Sequence, residues 1–274
     1  MRSEEAPGDG SAMNFQNKVA IVAGGTGALG RAVSLAFYEA GATVMVTYRR
    51  KQEFDTLAAA TGTEGSAKVE VMFREQKEFD TMTRATGAAW ARLAGMPVDV
   101  TDEADVRRFV EAFQSLHGRI DILVNTIGGY AGGSKLWEAD PQVYEQMLDL
   151  NLRSSFTLAR AVLPGMLQQN SGAIVNVASR AALVASPGAA MYAAAKAASL
   201  AMFNSLAEEV HDTGIRVNSV LPSIFDTEAN RRAMPRADHA KWPKPEQIAQ
   251  VILFLCSDAA RIIHGAAIPV YGKA

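Results

Sequence analysis

The 274-residue chain contains little cysteine, little histidine and almost no net charge. Its single cysteine, Cys256, excludes an intrachain disulfide framework and indicates a reducing, cytoplasmic setting. Its 27 basic and 29 acidic residues give a formal net charge of −2, which argues against nucleic acid or an anionic membrane as the main partner. The four histidines lie far apart, without the spacing of metal ligands, so we expect no metal site.

Long hydrophobic runs are also missing from the sequence. No apolar run approaches the roughly 20 residues that a membrane-spanning helix needs. Residues 1–15 lack the apolar centre of a signal peptide, and we predict that they form a disordered lead-in to one domain over 16–274. With 49% hydrophobic and 20% charged residues, this domain has the composition of an ordinary globular protein with a sizeable core.

Short runs rich in valine and isoleucine alternate with longer amphipathic stretches. Five runs are predicted strands: KVAIVA, ATVMVTY, IDILVNT, AIVNVAS and IRVNSVLP. A helical pattern follows the first run and ends at Gly41. Strands that are apolar almost throughout are buried on both faces, so we predict a parallel sheet with helices above and below it, the doubly wound α/β arrangement.

A stretch of 19 residues, 44–62, occurs again at 69–87 with ten identical positions, including an unbroken EFDT. Two copies are too few for a solenoid, so we infer a tandem duplication of one strand-turn-helix unit. The second copy is either a surface excursion without function or an addition that supplies a strand or reshapes the neighbouring ligand site.

A glycine-rich turn, AGGTGALG, stands between the first strand and the helix that follows it. Gly25, Gly27 and Gly30 have the spacing G-x-G-x-x-G, which lets the backbone approach a pyrophosphate at a helix N-terminus. Tight packing alone is the alternative explanation of these glycines. The turn supplies the predicted dinucleotide contacts Gly24, Gly25, Thr26, Gly27, Ala28, Leu29 and Gly30.

The end of the second strand predicts which dinucleotide binds. An acidic residue at this place accepts a hydrogen bond from the ribose 2′-hydroxyl of NAD, whereas arginine accommodates the 2′-phosphate of NADP. Here Tyr48 stands where the acid is expected and is followed by Arg49 and Arg50, so we predict NADP(H) over NAD(H). Two alternatives stay open: the arginines are solvated surface groups, or residues 73–75 of the second copy occupy this place.

The stretch MYAAAKAASLAMF holds a tyrosine and a lysine four positions apart. On a helix Tyr192 and Lys196 share one face, and a nearby ammonium group lowers the pKa of a phenol. Such a pair can pass a proton to or from a substrate oxygen while a hydride moves to or from carbon. On its own the spacing is weak evidence, because amphipathic helices often contain it.

Seven motifs follow one another along the chain: AGGTGALG, VDVTD (98–102), NTIG (125–128), LNL (150–152), IVNVAS (174–179), YAAAK (192–196) and VLPSIFDT (220–227). In this order, with Ser179 thirteen residues before Tyr192, they closely resemble the short-chain dehydrogenase/reductase family. The resemblance covers nearly everything from Lys18 to Gly272 and implies a single-domain Rossmann fold.

The resemblance implies four catalytic residues. Tyr192 would be the general acid and base, and Lys196 would hold the nicotinamide ribose and lower the pKa of the tyrosine. Ser179 would bind the substrate oxygen, and Asn151 would anchor a water on the proton path. Further cofactor contacts implied by the resemblance are Asp99 and Val100 at the adenine, Asn125 and Gly128 beside the ribose, and Ile224 and Thr227 at the carboxamide.

We therefore predict an NADP(H)-dependent ketone reductase or alcohol dehydrogenase, with 3-oxoacyl compounds among its candidate substrates. The resemblance further implies a homodimer or homotetramer. The sequence departs from the family pattern at Ala23 and at Ala28, where threonine and glycine are usual. Ala28 and the duplication favour the alternative, a dinucleotide sensor without catalysis. Candidate substrate contacts are the aromatic residues Tyr130, Trp137 and Phe225 and, for an anionic group, Arg231, Arg232 and Arg236.

Overall fold

The computed structural model describes residues 13–61, 92–184 and 186–274. Within these ranges seven strands form one parallel sheet in the order β3-β2-β1-β4-β5-β6-β7. The strands are β1 (Val19–Ala23), β2 (Thr43–Tyr48), β3 (Leu93–Pro97), β4 (Ile122–Asn125), β5 (Gly172–Val177), β6 (Ile215–Pro222) and β7 (Ala267–Val270). The predicted doubly wound parallel sheet of the Rossmann type is confirmed. The sequence analysis missed β3 and β7.

Helices connect successive strands. They are α1 (Ala28–Glu39), α2 (Lys51–Ala59), α3 (Glu103–His117), α4 (Pro141–Leu148), α5 (Ser154–Gln169), α6 (Ala190–Glu209), α7 (Glu228–Ala233) and α8 (Pro245–Cys256). A π-helical segment, Asp149–Arg153, joins α4 to α5. As predicted, α1 gives way to a turn in which Gly41 has a positive φ of 96°.

Alternating residues of the central strands point into two apolar layers. On one face of β1, Ala20 and Val22 belong to a buried cluster that includes side chains of α1 and α8. On the other face, Ile21 belongs to a cluster with side chains of α3, α5 and α6. The centre of the sheet is therefore covered on both faces, which explains why its central strands are apolar almost throughout.

The carboxyl ends of the parallel strands share one edge of the sheet, and the predicted site residues follow them. Asn125 at the end of β4 is in register with Ala23 at the end of β1 and with Asn176 in β5. The chain order reverses between β1 and β4, and ligands bind at such a switch point in open α/β sheets. The fold thus places the glycine-rich turn beside the segments that follow β4 and β5.

Two boundary predictions can be compared with the described residues. Phe15 is only 2% exposed and packs edge-on against Phe37, with ring centroids 5.0 Å apart. The packed chain thus includes Phe15, which the sequence analysis placed in the lead-in; residues 1–12 lie outside the described ranges. The first copy of the repeat supplies β2 and α2, and β2 is hydrogen-bonded to β1 and β3. The second copy, 69–87, lies outside the described residues.

Candidate active site

The glycine-rich turn is packed so closely that side chains cannot replace two of its glycines. A Cβ at Gly30 would lie 2.0 Å from the carbonyl oxygen of Gly24. A Cβ at Gly25 would lie 2.4 Å from a methyl group of Val46. Gly24 itself has a φ of 74°, a conformation that favours glycine. The close approach of Gly30 to the Gly24 backbone, with Gly25 packed on Val46, forms the tight turn that the fingerprint predicts.

Helix α1 begins at this turn with backbone amides that no side chain caps. Gly27 is the N-cap residue and has an extended backbone. Gly27 and Ala28 are both exposed, whereas Leu29 is buried. Uncapped amides at a helix start favour an anionic ligand such as a phosphate. Because Ala28 is exposed, its extra methyl does not fill the turn, and the turn fits a dinucleotide pyrophosphate.

At the end of β2 a buried tyrosine, Tyr48, is followed by two exposed arginines, Arg49 and Arg50. Tyr48 is 6% exposed and stacks on Phe54, with ring centroids 5.2 Å apart and planes at 16°. Burial, and to a lesser degree the charge of Asp55, raises the pKa of Tyr48. The Tyr48 ring therefore belongs to the core, and the exposed side chains at the end of this strand are Arg49 and Arg50.

The loop after β3 adjoins these arginines. The exposed Asp99 carboxylate accepts hydrogen bonds from the hydroxyl and the backbone amide of Thr101, at 2.7 and 3.0 Å. These bonds lower the pKa of Asp99, and the positive charge of Arg49 lowers it further. Val100 is buried, and its carbonyl accepts a hydrogen bond of 2.6 Å from Thr157. Arg49 and Asp99 thus lie at neighbouring strand ends.

The side chain of Asn125 belongs to a buried polar cluster that the sequence analysis missed. Its amide donates to the Ser155 hydroxyl at 2.9 Å and to the Asn176 carboxamide oxygen at 3.2 Å. Ser199 of α6 closes the cluster, since it accepts from Asn176 and donates to Ser155, each at 3.3 Å. An asparagine inside the apolar run of β5 was the signal for it, because buried polar groups need partners.

Gly128 lies between Lys196 and Asn151. A Cβ at Gly128 would lie 2.8 Å from the lysine Nζ and 3.0 Å from the Oδ1 of Asn151. Lys196 is 5% exposed, and its Nζ donates to the carbonyl of Val177 at 2.9 Å. The absence of a side chain at Gly128 therefore lets a buried ammonium group and a carboxamide approach the segment after β4.

Asn151 fixes that segment from the π-helix. Its side chain is fully buried; Oδ1 accepts from the amide of Gly129 at 3.2 Å, and Nδ2 donates to the Gly129 carbonyl at 3.1 Å. Nδ2 also donates to the carbonyl of Met147 at 3.0 Å. The Asn151 backbone carbonyl accepts from Ser155 at 3.0 Å. The observed contacts of Asn151 thus clamp the backbone of the β4 loop.

Tyr192 stands at the start of α6 against Ser179 and Tyr130. Burial raises the pKa of Tyr192, and a hydrogen bond with Ser179 opposes this effect. The Ser179 Oγ also accepts from the amide of Ala181 at 3.1 Å, which fixes the hydroxyl at the end of β5. The ring of Tyr130 packs edge-on against that of Tyr192. The structure therefore brings the phenol and the serine hydroxyl together, as predicted from their spacing.

The expected lowering of the Tyr192 pKa by Lys196 is not found. Burial is the dominant influence on both groups: it raises the pKa of the phenol and lowers the pKa of Lys196 to about 8. The lysine Nζ is directed to the Val177 carbonyl. Ser179 is the group that lowers the pKa of Tyr192.

The segment after β6 carries the remaining predicted cofactor contacts. Ile224 and Thr227 are half-buried, and the Thr227 hydroxyl caps α7 by accepting from the amide of Asn230 at 3.1 Å. Ser223 donates to the carbonyl of Tyr271 at 3.0 Å. These bonds give the segment a defined course beside β7.

The loops at this edge of the sheet expose large apolar side chains. Those after β4, β5 and β6 include Tyr130, Leu136, Trp137, Leu183, Val184 and Met234. Phe225, in contrast, packs against the main core cluster. Arg231 is paired with Asp226 and Arg232 with Glu228. Carboxylates of the chain therefore neutralise two of the three arginines that were candidates for an anionic substrate group.

Residues 13–61, 92–184 and 186–274 contain no group of three histidine, cysteine, aspartate or glutamate side chains placed to hold a metal ion. None of the helices within these ranges is long and apolar enough to cross a bilayer.

The fold and the site define a dinucleotide-dependent oxidoreductase that acts on a carbonyl or alcohol group. A family model described as Enoyl-(Acyl carrier protein) reductase matches residues 64–272. The chain belongs to the short-chain dehydrogenase/reductase family. The resemblance found in the sequence is thereby confirmed.

Three known proteins illustrate this membership. The chain is 30% identical to the 3-oxoacyl-[acyl-carrier-protein] reductase FabG of Thermotoga maritima, over 95% of this chain and 98% of that protein. It is 32% identical to D-threitol dehydrogenase of Mycolicibacterium smegmatis, over 94% and 93% of the two chains. The crystal structure of gox2181 matches with a TM-score of 0.81 and 27% identity, over 94% of this chain and 96% of that one.

Proposed function

We propose that the protein is an NADP(H)-dependent reductase or dehydrogenase for a ketone or secondary alcohol, with Asn151, Ser179, Tyr192 and Lys196 as its catalytic set. The observation that carries this proposal is the close approach of Tyr192 to Ser179, next to a buried Lys196 one helical turn further on. A structural helix gains nothing from a buried ammonium group at this place, because burying a charge costs free energy.

The residues that would hold the dinucleotide follow the strand ends. The turn 24–30 would bind the pyrophosphate, Arg49 and Arg50 the 2′-phosphate, and Asp99 the adenine, with Val100 beside it. The backbone around Asn125 and Gly128, the Lys196 ammonium, Ile224 and Thr227 would hold the nicotinamide half. When bound, the nicotinamide supplies or accepts the hydride.

Within this arrangement Tyr192 moves the proton. Its raised pKa keeps the phenol protonated at neutral pH, which suits the donation of a proton to a carbonyl oxygen during reduction. Ser179 orients that oxygen through its hydroxyl. Lys196, with a pKa of about 8, can hold or release a proton at Nζ close to neutral pH. Asn151 keeps the segment after β4 in place, and a water held next to Asn151 would complete the proton path.

A 3-oxoacyl compound is the substrate class that we propose. Two observations support it: the similarity to a 3-oxoacyl reductase over nearly the whole chain and the exposed apolar side chains of the loops, such as Leu136 at 61% and Trp137 at 78% exposure. An apolar surface suits an acyl chain better than a polyol.

We also propose a homodimer or homotetramer, supported by exposed Phe156, Leu167 and Ile262 on the outer surface. We propose a cytoplasmic location because the chain has a single cysteine and so needs no oxidising compartment to form an intrachain disulfide. Burial raises the pKa of Cys256 to about 12, which indicates an unreactive thiol.

The test compares Tyr192→Phe with Tyr144→Phe, a change at an exposed tyrosine of α4. NADPH and NADH are titrated against each protein by fluorescence, and turnover is measured with a 3-oxoacyl thioester and a panel of ketones. Tyr192→Phe should lose about a thousandfold in turnover and keep its cofactor affinity, whereas Tyr144→Phe should behave as wild type. Full activity in Tyr192→Phe would refute the mechanism. Tight dinucleotide binding without turnover on any substrate would favour the sensor alternative.

A further inference from the structure

One carboxylate connects the end of β2 to the glycine-rich turn. Glu53, in the first turn of α2, accepts a hydrogen bond of 2.9 Å from the Nε of Arg50 and a second bond from the same guanidinium group. Its other oxygen accepts a bond of 3.3 Å from the hydroxyl of Thr26. A negative charge is thereby held between an arginine proposed for the 2′-phosphate and the turn proposed for the pyrophosphate.

The charges around the two arginines differ as a result. Arg50 is 79% exposed and directly paired with Glu53, which is 32% exposed. Arg49 has no such hydrogen-bonded carboxylate among the described residues, although its charge acts on Asp99. Pairs this exposed are weak, so an incoming phosphate can compete for the guanidinium. The carboxylate would still lie close to the phosphate, because Thr26 also binds it.

We propose that Glu53 is a specificity-determining residue that weakens binding of the phosphorylated dinucleotide and so narrows the difference between NADPH and NADH. This inference rests on the proposed function, since it assumes that the dinucleotide binds along 24–30 with its ribose next to Arg50. Glu53 neutralises Arg50 in the free protein and repels a 2′-phosphate in the complex. Both effects act on NADPH and spare NADH, which carries a hydroxyl group at this place.

If Glu53 had only a structural role, its replacement would have different effects on stability and on cofactor affinity. Glu53 lies in the first turn of α2, where an acidic side chain favours the helix dipole. If this were its whole function, replacing Glu53 would lower the free energy of unfolding and change the affinities for NADPH and NADH equally. The ratio of the two affinities therefore separates the roles.

The experiment titrates NADPH and NADH against wild type, Glu53→Gln and Asp55→Asn by calorimetry at one ionic strength. Glutamine has the same length and shape as glutamate; it removes the charge and replaces one of the two acceptor oxygens with a donor NH2 group. Asp55→Asn is the matched control: it removes one negative charge from the same helix, where Asp55 faces Lys51 at 3.4 Å. Thermal unfolding of each variant shows whether α2 stays folded.

Glu53→Gln should bind NADPH about fivefold more tightly and NADH within about twofold of wild type, while Asp55→Asn should leave the ratio unchanged. An unchanged ratio in Glu53→Gln, or an equal shift in Asp55→Asn, would overturn the role of Glu53. A wild type that prefers NADH, with a Glu53→Gln variant that shifts towards NADPH, would refute the proposed cofactor preference and support the role of Glu53. A wild type that binds neither dinucleotide would overturn both.

Discussion

The ring of Tyr130 lies edge-on against the ring of Tyr192, with centroids 5.2 Å apart and planes at 81°. Tyr130 belongs to the loop after β4 and Tyr192 to the first turn of α6, so this contact connects two segments that are distant in sequence. The amide of Gly133 also connects the loop after β4 to the residues just before α6, by a hydrogen bond of 2.8 Å to the carbonyl of Gly188. We therefore expect Tyr130 to act as a positioning residue for the proposed proton donor.

Tyr130→Ala should lower kcat/KM about tenfold, because edge-to-face pairs contribute about 0.5–1.5 kcal/mol and this one restrains the phenol. Tyr130→Phe keeps the ring and should retain nearly all of the activity. Steady-state kinetics of both variants with one substrate and saturating cofactor checks this prediction. Equal losses in the two variants would show that the Tyr130 hydroxyl, and not its ring, is the important group.

Ser179→Ala should raise the pKa that governs alcohol oxidation. The Ser179 hydrogen bond lowers the pKa of Tyr192 against the effect of burial, so its removal leaves burial unopposed. Alcohol oxidation needs the deprotonated phenol of Tyr192. The pH range over which the oxidation rate rises should therefore move to higher pH in the variant. The pH profile of kcat/KM measures this shift, with Ser186→Ala in the neighbouring exposed loop as the control. If this pH range is the same in Ser179→Ala as in wild type, the rise in rate does not report the deprotonation of Tyr192.

Lys196→Met should change how stability depends on pH. The pKa of Lys196 falls to about 8 in the folded protein from an ordinary value of 10.5. Between these two values the unfolded chain binds a proton that the native protein has released, so the free energy of unfolding gains a term that rises with pH. Relative to Lys196→Met, wild type should gain about 3 kcal/mol from about pH 7 to about pH 11.

Urea unfolding of the two proteins across this pH range measures the difference. Taking the difference cancels the contributions of all other titrating groups. A constant difference at every pH would show that Lys196 keeps its ordinary pKa in the folded protein.

Gly30→Ala should disrupt the glycine-rich turn. The new methyl would lie 2.0 Å from the carbonyl oxygen of Gly24, and a backbone atom cannot yield as a flexible side chain can. We expect a loss of about 2 kcal/mol or more in the free energy of unfolding, together with loss of dinucleotide binding. Gly27→Ala is the control for stability, since its Cβ would meet the Gly24 oxygen at an ordinary 3.4 Å. Denaturant unfolding of both variants decides the prediction.

The central strands could be predicted from the sequence and two others could not. Strands β1, β2, β4, β5 and β6 are buried on both faces. Because such strands need apolar residues at nearly every position, they form valine-rich and isoleucine-rich runs that are easily recognised in the sequence. Among the described strands, β3 and β7 each pair with only one neighbour. Such positions tolerate Pro97 and Pro269, which have no amide hydrogen to donate, and proline argues against a strand when the sequence is read alone.

The site was predictable to the extent that its residues stand at fixed spacings. The helix brings Tyr192 and Lys196 to one face, and the motif order indicated Ser179. The pKa values of the site depend on burial, which spacing does not reveal, so the sequence could not show that burial dominates the pKa of Tyr192. Glu53 was missed because its bond to Thr26 joins residues 27 positions apart that only the folded turn brings together.

The π-helical segment Asp149–Arg153 makes this part of the chain sensitive to length. A π-turn carries one residue more than an α-turn, and each residue of a regular helix advances by about 100° around the axis. Removing one residue from the segment would restore a regular helix from α4 into α5 and rotate Asn151 away from the Gly129 backbone that it clamps. Variants of the same length can therefore keep the hydrogen bonds between Asn151 and the Gly129 backbone. A single-codon deletion in this segment would break them, although every other functional side chain would still be present in the sequence.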